Sequence, residues 1–330
     1  MSQTNLPCYV LISVNPKAGR KSPRIRAERL KTALEEKGFE VELHTNLDEV
    51  SQRANELFAT QRLRALVGVG GDGTAAELTN RTQPGLPITL LPSGTANLIA
   101  KYLKLPFSPE KSAEMIATGS PISFDAGKAN GRLFLVMVSA GIDADVVRLV
   151  HAAREESYQK QTKKGAHISY LSYIKPILGS IKSYKYPQIE TEVVSDYNSE
   201  KRSSISGKWS FVFNLPRYGW GLPLVPKCVG VDQKLDYCIF QGGKLALALF
   251  NVACAQLGSM HRFLPNAKLG QGVRFHISSE SNSANPRPVP YQLDGDPGGF
   301  LPLEIETIPS RFTALASKKV VEKLERKRVL

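Results

Sequence analysis

Apolar residues in the first part of the chain gather in short continuous runs, and between the runs they recur at helical spacing. Tyr9–Val14 is such a run and reads as a buried strand. Asn15-Pro16 stops it, because proline fixes its own φ and pushes the residue before it out of the helical region. Gly19 relaxes the backbone. A helix follows from about Pro23 to Lys37, with Ile25, Leu30 and Leu34 as its apolar positions and Gly38 as its stop. FEVELHT is a second strand, Glu49 to Thr60 a second helix, and RALVGVG a third strand, apolar throughout as a strand covered on both faces should be. Thr74–Asn80 begins a third helix, and PITLLPSGTANLIAKYLKL repeats strand, glycine turn and helix. The alternation predicts an open α/β sheet over residues 1–122.

From Ser123 the pattern changes to short strand-like runs: FDAGKANGRLFLVMVSAG, QIETEVV, KWSFVFNL, KLDYCIFQ, VRFHIS and LPLEIET. Gly, Asn, Pro and Ser separate them, which predicts a mostly antiparallel β domain over residues 123–308. A helical insertion interrupts it at about 144–184, and SSESNSANPRPVP is a loop. Residues 309–330 form a basic helix expected to return to the first domain. No repeat is visible.

Composition narrows the class. The longest apolar stretch, Leu245–Met260, is broken by Asn251 and Gln256 and falls short of the roughly 18 residues of a spanning helix. With no signal-peptide pattern, the expectation is a cytoplasmic protein. Its four cysteines lack CxxC spacing and read as buried free thiols, and the histidines show no zinc spacing. A formal charge of +13 favours anionic partners without choosing among them. The basic residues are not interleaved with aromatics in a nucleic-acid-binding pattern, so a nucleic-acid partner is not expected.

Three turns fall at the C-terminal ends of predicted parallel strands: Asn15–Gly19, Gly70–Thr74 and Pro92–Asn97. Ligands bind along that edge of an open α/β sheet. Glycine lets backbone come close, and the following helix offers unpaired N–H groups and partial positive charge, which together cradle phosphate. Thr74 and Thr95 can add hydroxyl donors. Asp72 is unsuited to touch phosphate directly, since like charges repel. It suits a site in which Mg²⁺ or an ordered water stands between. Blander readings stay open: Thr74 to Glu77 fits a capping box, and Pro92 with Gly94 can simply turn the chain. Neither a Walker A nor a Rossmann spacing is present.

NPKAG, VGGDGT and LPSGTANLIAKYL, in this order, resemble the catalytic domain of the diacylglycerol kinase family, which includes sphingosine kinases and bacterial lipid kinases. The GGDGT turn also resembles those of NAD kinases and phosphofructokinases. The likeness continues through DAGKANGRLFLVMVSAGIDADVV, VDQKLDYCIF and YQLDGDP. It implies a two-domain kinase: an NAD kinase-like α/β domain against which ATP lies, and a β-sandwich that closes the cleft and supplies an acid. The nucleotide residues it implies are Asn15, Pro16, Gly19, Thr45, Gly70, Gly71, Asp72, Gly73, Thr74, Ser93, Gly94, Thr95 and Asn97.

The family's late motif is Leu-Asp-Gly-Glu, with the glutamate taken as general base; here it reads Leu293-Asp294-Gly295-Asp296. Asp296 keeps the carboxylate one methylene shorter, Asp294 is the second candidate, and a plain turn is the bland alternative. Asp232 matches a family position that helps hold a structural Mg²⁺ or Ca²⁺, but Gln233 stands where glycine is usual. The function implied is ATP- and Mg²⁺-dependent phosphorylation of a lipid hydroxyl, in transient peripheral contact with the inner face of the membrane. A kinase of a small soluble acceptor such as NAD, and a non-catalytic nucleotide- or lipid-binding protein, remain as alternatives.

Overall fold

The computed structural model describes residues 8–14, 23–159, 187–219, 221–242, 254, 260–279 and 288–328. The chain divides into two compact units, Met1–Ala126 with Ile308–Leu330, and Gly127–Thr307. Its elements begin with β1 (Tyr9–Val14), α1 (Pro23–Glu35), β2 (Glu40–His44), α2 (Leu47–Ala59), β3 (Leu63–Gly70), α3 (Asp72–Arg81), β4 (Pro87–Pro92), α4 (Leu98–Tyr102), α5 (Pro109–Thr118), β5 (Ser120–Ala129), β6 (Arg132–Phe134), β7 (Met137–Ala140) and α6 (Ile142–Gln159). There follow β8 (Ile189–Val194), β9 (Arg202–Gly207), β10 (Trp209–Phe213), β11 (Leu235–Phe240), a 3-10 turn (Met260–Phe263), β12 (Ala267–Gly272), β13 (Arg274–Ser279), β14 (Pro290–Leu293), β15 (Asp296–Phe300), β16 (Leu303–Ala316) and α7 (Lys318–Arg328).

The first unit is an open parallel sheet in the order β2, β1, β3, β4, extended by the last residues of β16, where Thr313 pairs with Pro87. β3 is central and almost entirely buried, so its residues are apolar without alternation. α1 buries Ala27, Leu30 and Leu34, whereas Ile25 is 64% exposed. Grouping Ile25 with the core positions fails because, at 3.6 residues per turn, it falls on the face opposite Ala27. α2 starts two residues before the expected Glu49, since the Asn46 side chain accepts the amides of Asp48 and Glu49 and caps the helix earlier. From β1 the chain adds β2 on one side, then β3 and β4 on the other. The order therefore reverses between β1 and β3, and the crevice outside their C-terminal ends is the ligand position of such sheets.

The second unit is a β-sandwich. One antiparallel sheet runs β12, β11, β10, β7, β14, β15; the other contains β9, β8, β13 and the first residues of β16. Inward side chains from both meet in one core, with Val138, Val212 and Leu293 from the first sheet and Val193, Phe275 and Ile305 from the second. The period-2 alternation is plain in β13, where Phe275 and Ile277 are buried and Arg274 and His276 face outward. Of the predicted helical insertion, α6 covers its first part, and residues 160–186 lie outside the described residues. No helix among the described residues is long and apolar enough to cross a membrane.

Candidate active site

In the first unit the site grows from the turn between β3 and α3. α3 begins at Asp72, with Gly71 as its N-cap and no side-chain cap, so Thr74 is not the helix start that a capping box would make it. A Cβ on Gly70 would lie 2.0 Å from Thr74 Oγ1, because the threonine side chain folds back onto the glycine. A Cβ on Gly71 would lie 3.2 Å from Gly94 Cα, and one on Gly94 2.8 Å from Gly71 Cα. The two turns thus press backbone against backbone, which only glycine permits. The Ser93 amide donates to Gly70 O at 2.9 Å. Asn97 braces its own loop, accepting the Gly94 amide at 3.0 Å and donating to Gly94 O at 2.8 Å. Arg26 from α1 donates to Pro92 O at 2.7 Å and so fixes the start of the second turn.

Asp72 ties the turns together. Its Oδ2 accepts the Leu98 amide at 2.9 Å and its Oδ1 the Ile99 amide at 2.8 Å. Burial pushes this carboxyl above the ordinary carboxylate range, and the two amides and its own amide pull it back. The first amides of α4 are therefore bound to Asp72, which corrects the expectation that both helix starts are open to phosphate. At α3 the Thr74 and Ala75 amides donate to Gly71 O, while Gly73 N–H lies in the first turn, where no helical carbonyl is available to it. Thr95 is exposed in the second turn, and Thr45 is exposed beyond the end of β2, two strands from Gly70. Asn15, Pro16 and Gly19 lie outside the described residues.

In the second unit LDGD forms a two-residue hairpin. Leu293 pairs with Asp296, and Asp294 (φ 50°) and Gly295 (φ 92°) both take the left-handed conformation of a type I′ turn. The Asp294 carboxylate accepts three amides, from Leu135 at 2.7 Å and from Val136 and Met137 at 2.9 Å. Both its oxygens are committed to holding the chain between β6 and β7. This removes Asp294 as a second general-base candidate, since its lone pairs face backbone rather than a substrate. Asp296 is different. Its side chain is 44% exposed, with Arg132 Nη2 and His151 Nε2 each 3.6 Å from an oxygen.

A polar cluster supports that hairpin. His151 Nε2 lies 3.1 Å from Gly295 O, and the Gly295 amide donates to Gln292 Oε1 at 2.8 Å. Gln292 Nε2 in turn donates to Ser139 Oγ at 2.9 Å and Asp143 Oδ2 at 3.1 Å, and the Ser139 hydroxyl donates to Asp143. Burial pushes the Asp143 carboxyl up to about 6, against the pull of both donors. Sequence reasoning missed Ser139, Asp143, His151 and Gln292 as a group; the one signal was the Gly-x-Asp-Ala pattern at Gly141–Ala144. The Asp-x-Gly and Phe pattern has a packing cause. Asp125 accepts the Ser310 amide at 2.9 Å, and the Phe134 ring covers Gly127, where a Cβ would lie 1.9 Å from it.

The Asp232 position does not fit a divalent cation. Its Oδ2 accepts Gln271 Nε2 at 2.9 Å, and the same amide nitrogen lies 3.4 Å from Asp236 Oδ2. A neutral donor stands between the two acids where a cation would stand. Burial pushes the Asp236 carboxyl up to about 6, and the Gln271 and Cys228 hydrogen bonds hold it down. Gln233 nevertheless keeps the glycine-like turn, at φ 62°. Among the described residues no group of three acids, histidines or cysteines could hold a metal. A groove of 410 Å³ on the outer face of β8, β9, β13 and β16 contains none of the expected site residues. Two pairs in it close on themselves, the Arg202–Glu192 ion pair and the His276 Nδ1–Glu304 contact, each at 2.6 Å.

Residues 9–129, which hold the paired glycine turns, match the family described as the diacylglycerol kinase catalytic domain. That stretch is less than half of the chain, and over it the sequence resembles the family. A diacylglycerol kinase from Staphylococcus carnosus (strain TM300) is 22% identical over 318 residues, which cover 94% of this chain and 95% of that protein. The fold is that of a diacylglycerol kinase from Bacillus anthracis str. Sterne, with a TM-score of 0.66 at 20% identity over 97% of this chain and 100% of that one. A yeast NADH kinase shares the fold more distantly, at a TM-score of 0.50 and 11% identity, covering 99% of this chain and 88% of that one.

Proposed function

We propose that the protein transfers the γ-phosphoryl group of ATP to the hydroxyl of a lipid, with diacylglycerol as the acceptor class the resemblance suggests. The observation that carries this reading is the backbone-on-backbone contact of Gly71 and Gly94, locked by Asp72, beside the point where the strand order reverses. In this reading the phosphates lie on the Gly70–Thr74 turn, with the Gly73 amide and the Thr95 hydroxyl as donors. Asn15, Pro16, Gly19 and Thr45 line the remainder of the nucleotide site. Asp72, whose two oxygens already accept amides, would help hold a nucleotide-borne Mg²⁺ at this turn by its charge. When bound, that ion offsets the charge gathered on the transferring group.

Asp296 is the proton acceptor. The acceptor oxygen bonds to the γ-phosphorus as the bond to the β,γ-bridging oxygen breaks; ADP leaves with that electron pair, and the hydroxyl proton passes to the Asp296 carboxylate. His151 and Gln292 hold the carbonyl and amide of Gly295, so the backbone entering Asp296 is fixed on both sides. That fixation suits a base with one methylene less reach. The protein works from the cytoplasm at the inner face of the membrane.

Radiolabelled ATP offered with diacylglycerol, phosphatidylglycerol, a sphingoid base and NAD tests the reading. Label in one lipid and none in NAD is the expected result. Label in NAD alone replaces the lipid acceptor with a soluble one, and ATP binding with no transfer to any acceptor reduces the protein to a nucleotide binder.

A further inference from the structure

The 3-10 turn Met260–Phe263 presents two large apolar side chains to solvent, Met260 at 53% and Phe263 at 73% exposure. The turn is firmly anchored. His261 is fully buried beneath it, with Nε2 2.8 Å from Leu224 O and its ring against Phe240. The Leu264 amide closes the turn on His261 O at 3.0 Å. Burial pushes the His261 imidazole down, toward the neutral form that suits an apolar anchor. Isolated exposed hydrophobic residues are ordinary, but two on one rigid turn form a patch.

The surroundings of that patch are cationic. The Arg262 guanidinium lies 4.6 Å from the centre of the Phe263 ring, and Lys268 is exposed on the adjoining β12. Between Asp236 and Glu280 the sequence contains no acidic residue. An aromatic ring carrying a cation, on a stretch of chain without acidic residues, matches the boundary between the acyl chains and headgroups of an anionic bilayer. We propose that Met260 and Phe263 insert into an anionic lipid surface, with Arg262 and Lys268 pairing with its headgroup phosphates. The choice of a bilayer over another occupant rests on the lipid-kinase reading. The turn itself takes no part in phosphoryl transfer.

Co-flotation of the full chain with vesicles, without ATP or acceptor, tests this apart from the chemistry. Vesicles of equimolar phosphatidylcholine and phosphatidylglycerol are compared with phosphatidylcholine alone. The wild-type protein is expected to float with the anionic vesicles and to be released by high salt. The double variant Met260→Ser, Phe263→Ser is expected to lose about tenfold or more in partitioning. Arg262→Gln is expected to narrow the preference for anionic vesicles. Both variants should melt as the wild type does and phosphorylate a water-soluble short-chain diacylglycerol equally well. If no acceptor is phosphorylated by any form, the kinase reading fails while the flotation result still stands. Undiminished flotation of the double variant overturns the proposal. So does a wild-type dimer in sedimentation that the double variant abolishes while it still floats, which would make the turn a contact between two copies.

Discussion

Removing the Asp294 carboxylate strips the acceptor from three amides at once. Asp294→Ala is therefore expected to cost about 3–5 kcal/mol in urea unfolding, since charged hydrogen bonds are lost and the donors stay part-buried. Asp296 stands two residues on with no such duty, so Asp296→Asn should unfold at the wild-type midpoint while transfer to lipid falls at least about a hundredfold. Asp296→Glu, with its longer reach, should stay active. The Asp143 carboxyl sits at about 6 in the folded protein, raised from its ordinary 3.8 by burial. A raised acid pKa means that the folded state holds the proton where the unfolded chain has lost it. Stability therefore falls as pH rises from about 4 to about 6, and the loss persists above. Asp236 adds a fall of the same sign. Midpoints measured across that range should show a shallower slope in Asp143→Asn than in the wild type. Glycine chemistry at the β3 turn was legible because Gly70 and Gly71 interrupt an apolar run just before a helix. The Asp72 brace was not, because its partners are main-chain amides at Leu98 and Ile99 that any residue supplies. His151 was hidden for the same reason, as its partner is the carbonyl of Gly295, 144 positions away.

Elements with one strong period were readable from sequence. Continuous apolar strands such as β3 and alternating ones such as β13 declare their burial, and parallel and antiparallel sheets follow from them. Ends were less readable, because they are set by caps: Asn46 for α2 and the bare Gly71 for α3. The turn entering β11 shows where an element tolerates a poor residue. Gln233 holds φ 62° there, and its carbonyl accepts the Tyr197 hydroxyl at 3.0 Å. Gln233→Gly should stabilise the second unit by about 1 kcal/mol by relieving the left-handed backbone. With Gln271 already between Asp232 and Asp236, adding Mg²⁺ or Ca²⁺ without nucleotide should leave the melting temperature unchanged. A rise of several degrees would mean that a cation displaces that amide.

At the scale of the whole molecule, a net charge of +13 is a long-range attraction for anionic lipid and for nucleotide. Neither sequence nor fold names the acceptor, because diacylglycerol and other lipid alcohols present the same hydroxyl to the same chemistry. The proposed transfer requires a triphosphate at the paired glycine turns. Amide resonances of the isotopically labelled protein, followed while ATP is added, test that placement most directly. The largest shifts are expected at Gly70, Gly71, Gly73 and Gly94, with weaker ones for AMP and loss of the response in Gly94→Ala. Shifts confined to other residues, such as Arg274 and His276 in the outer groove, would contradict it.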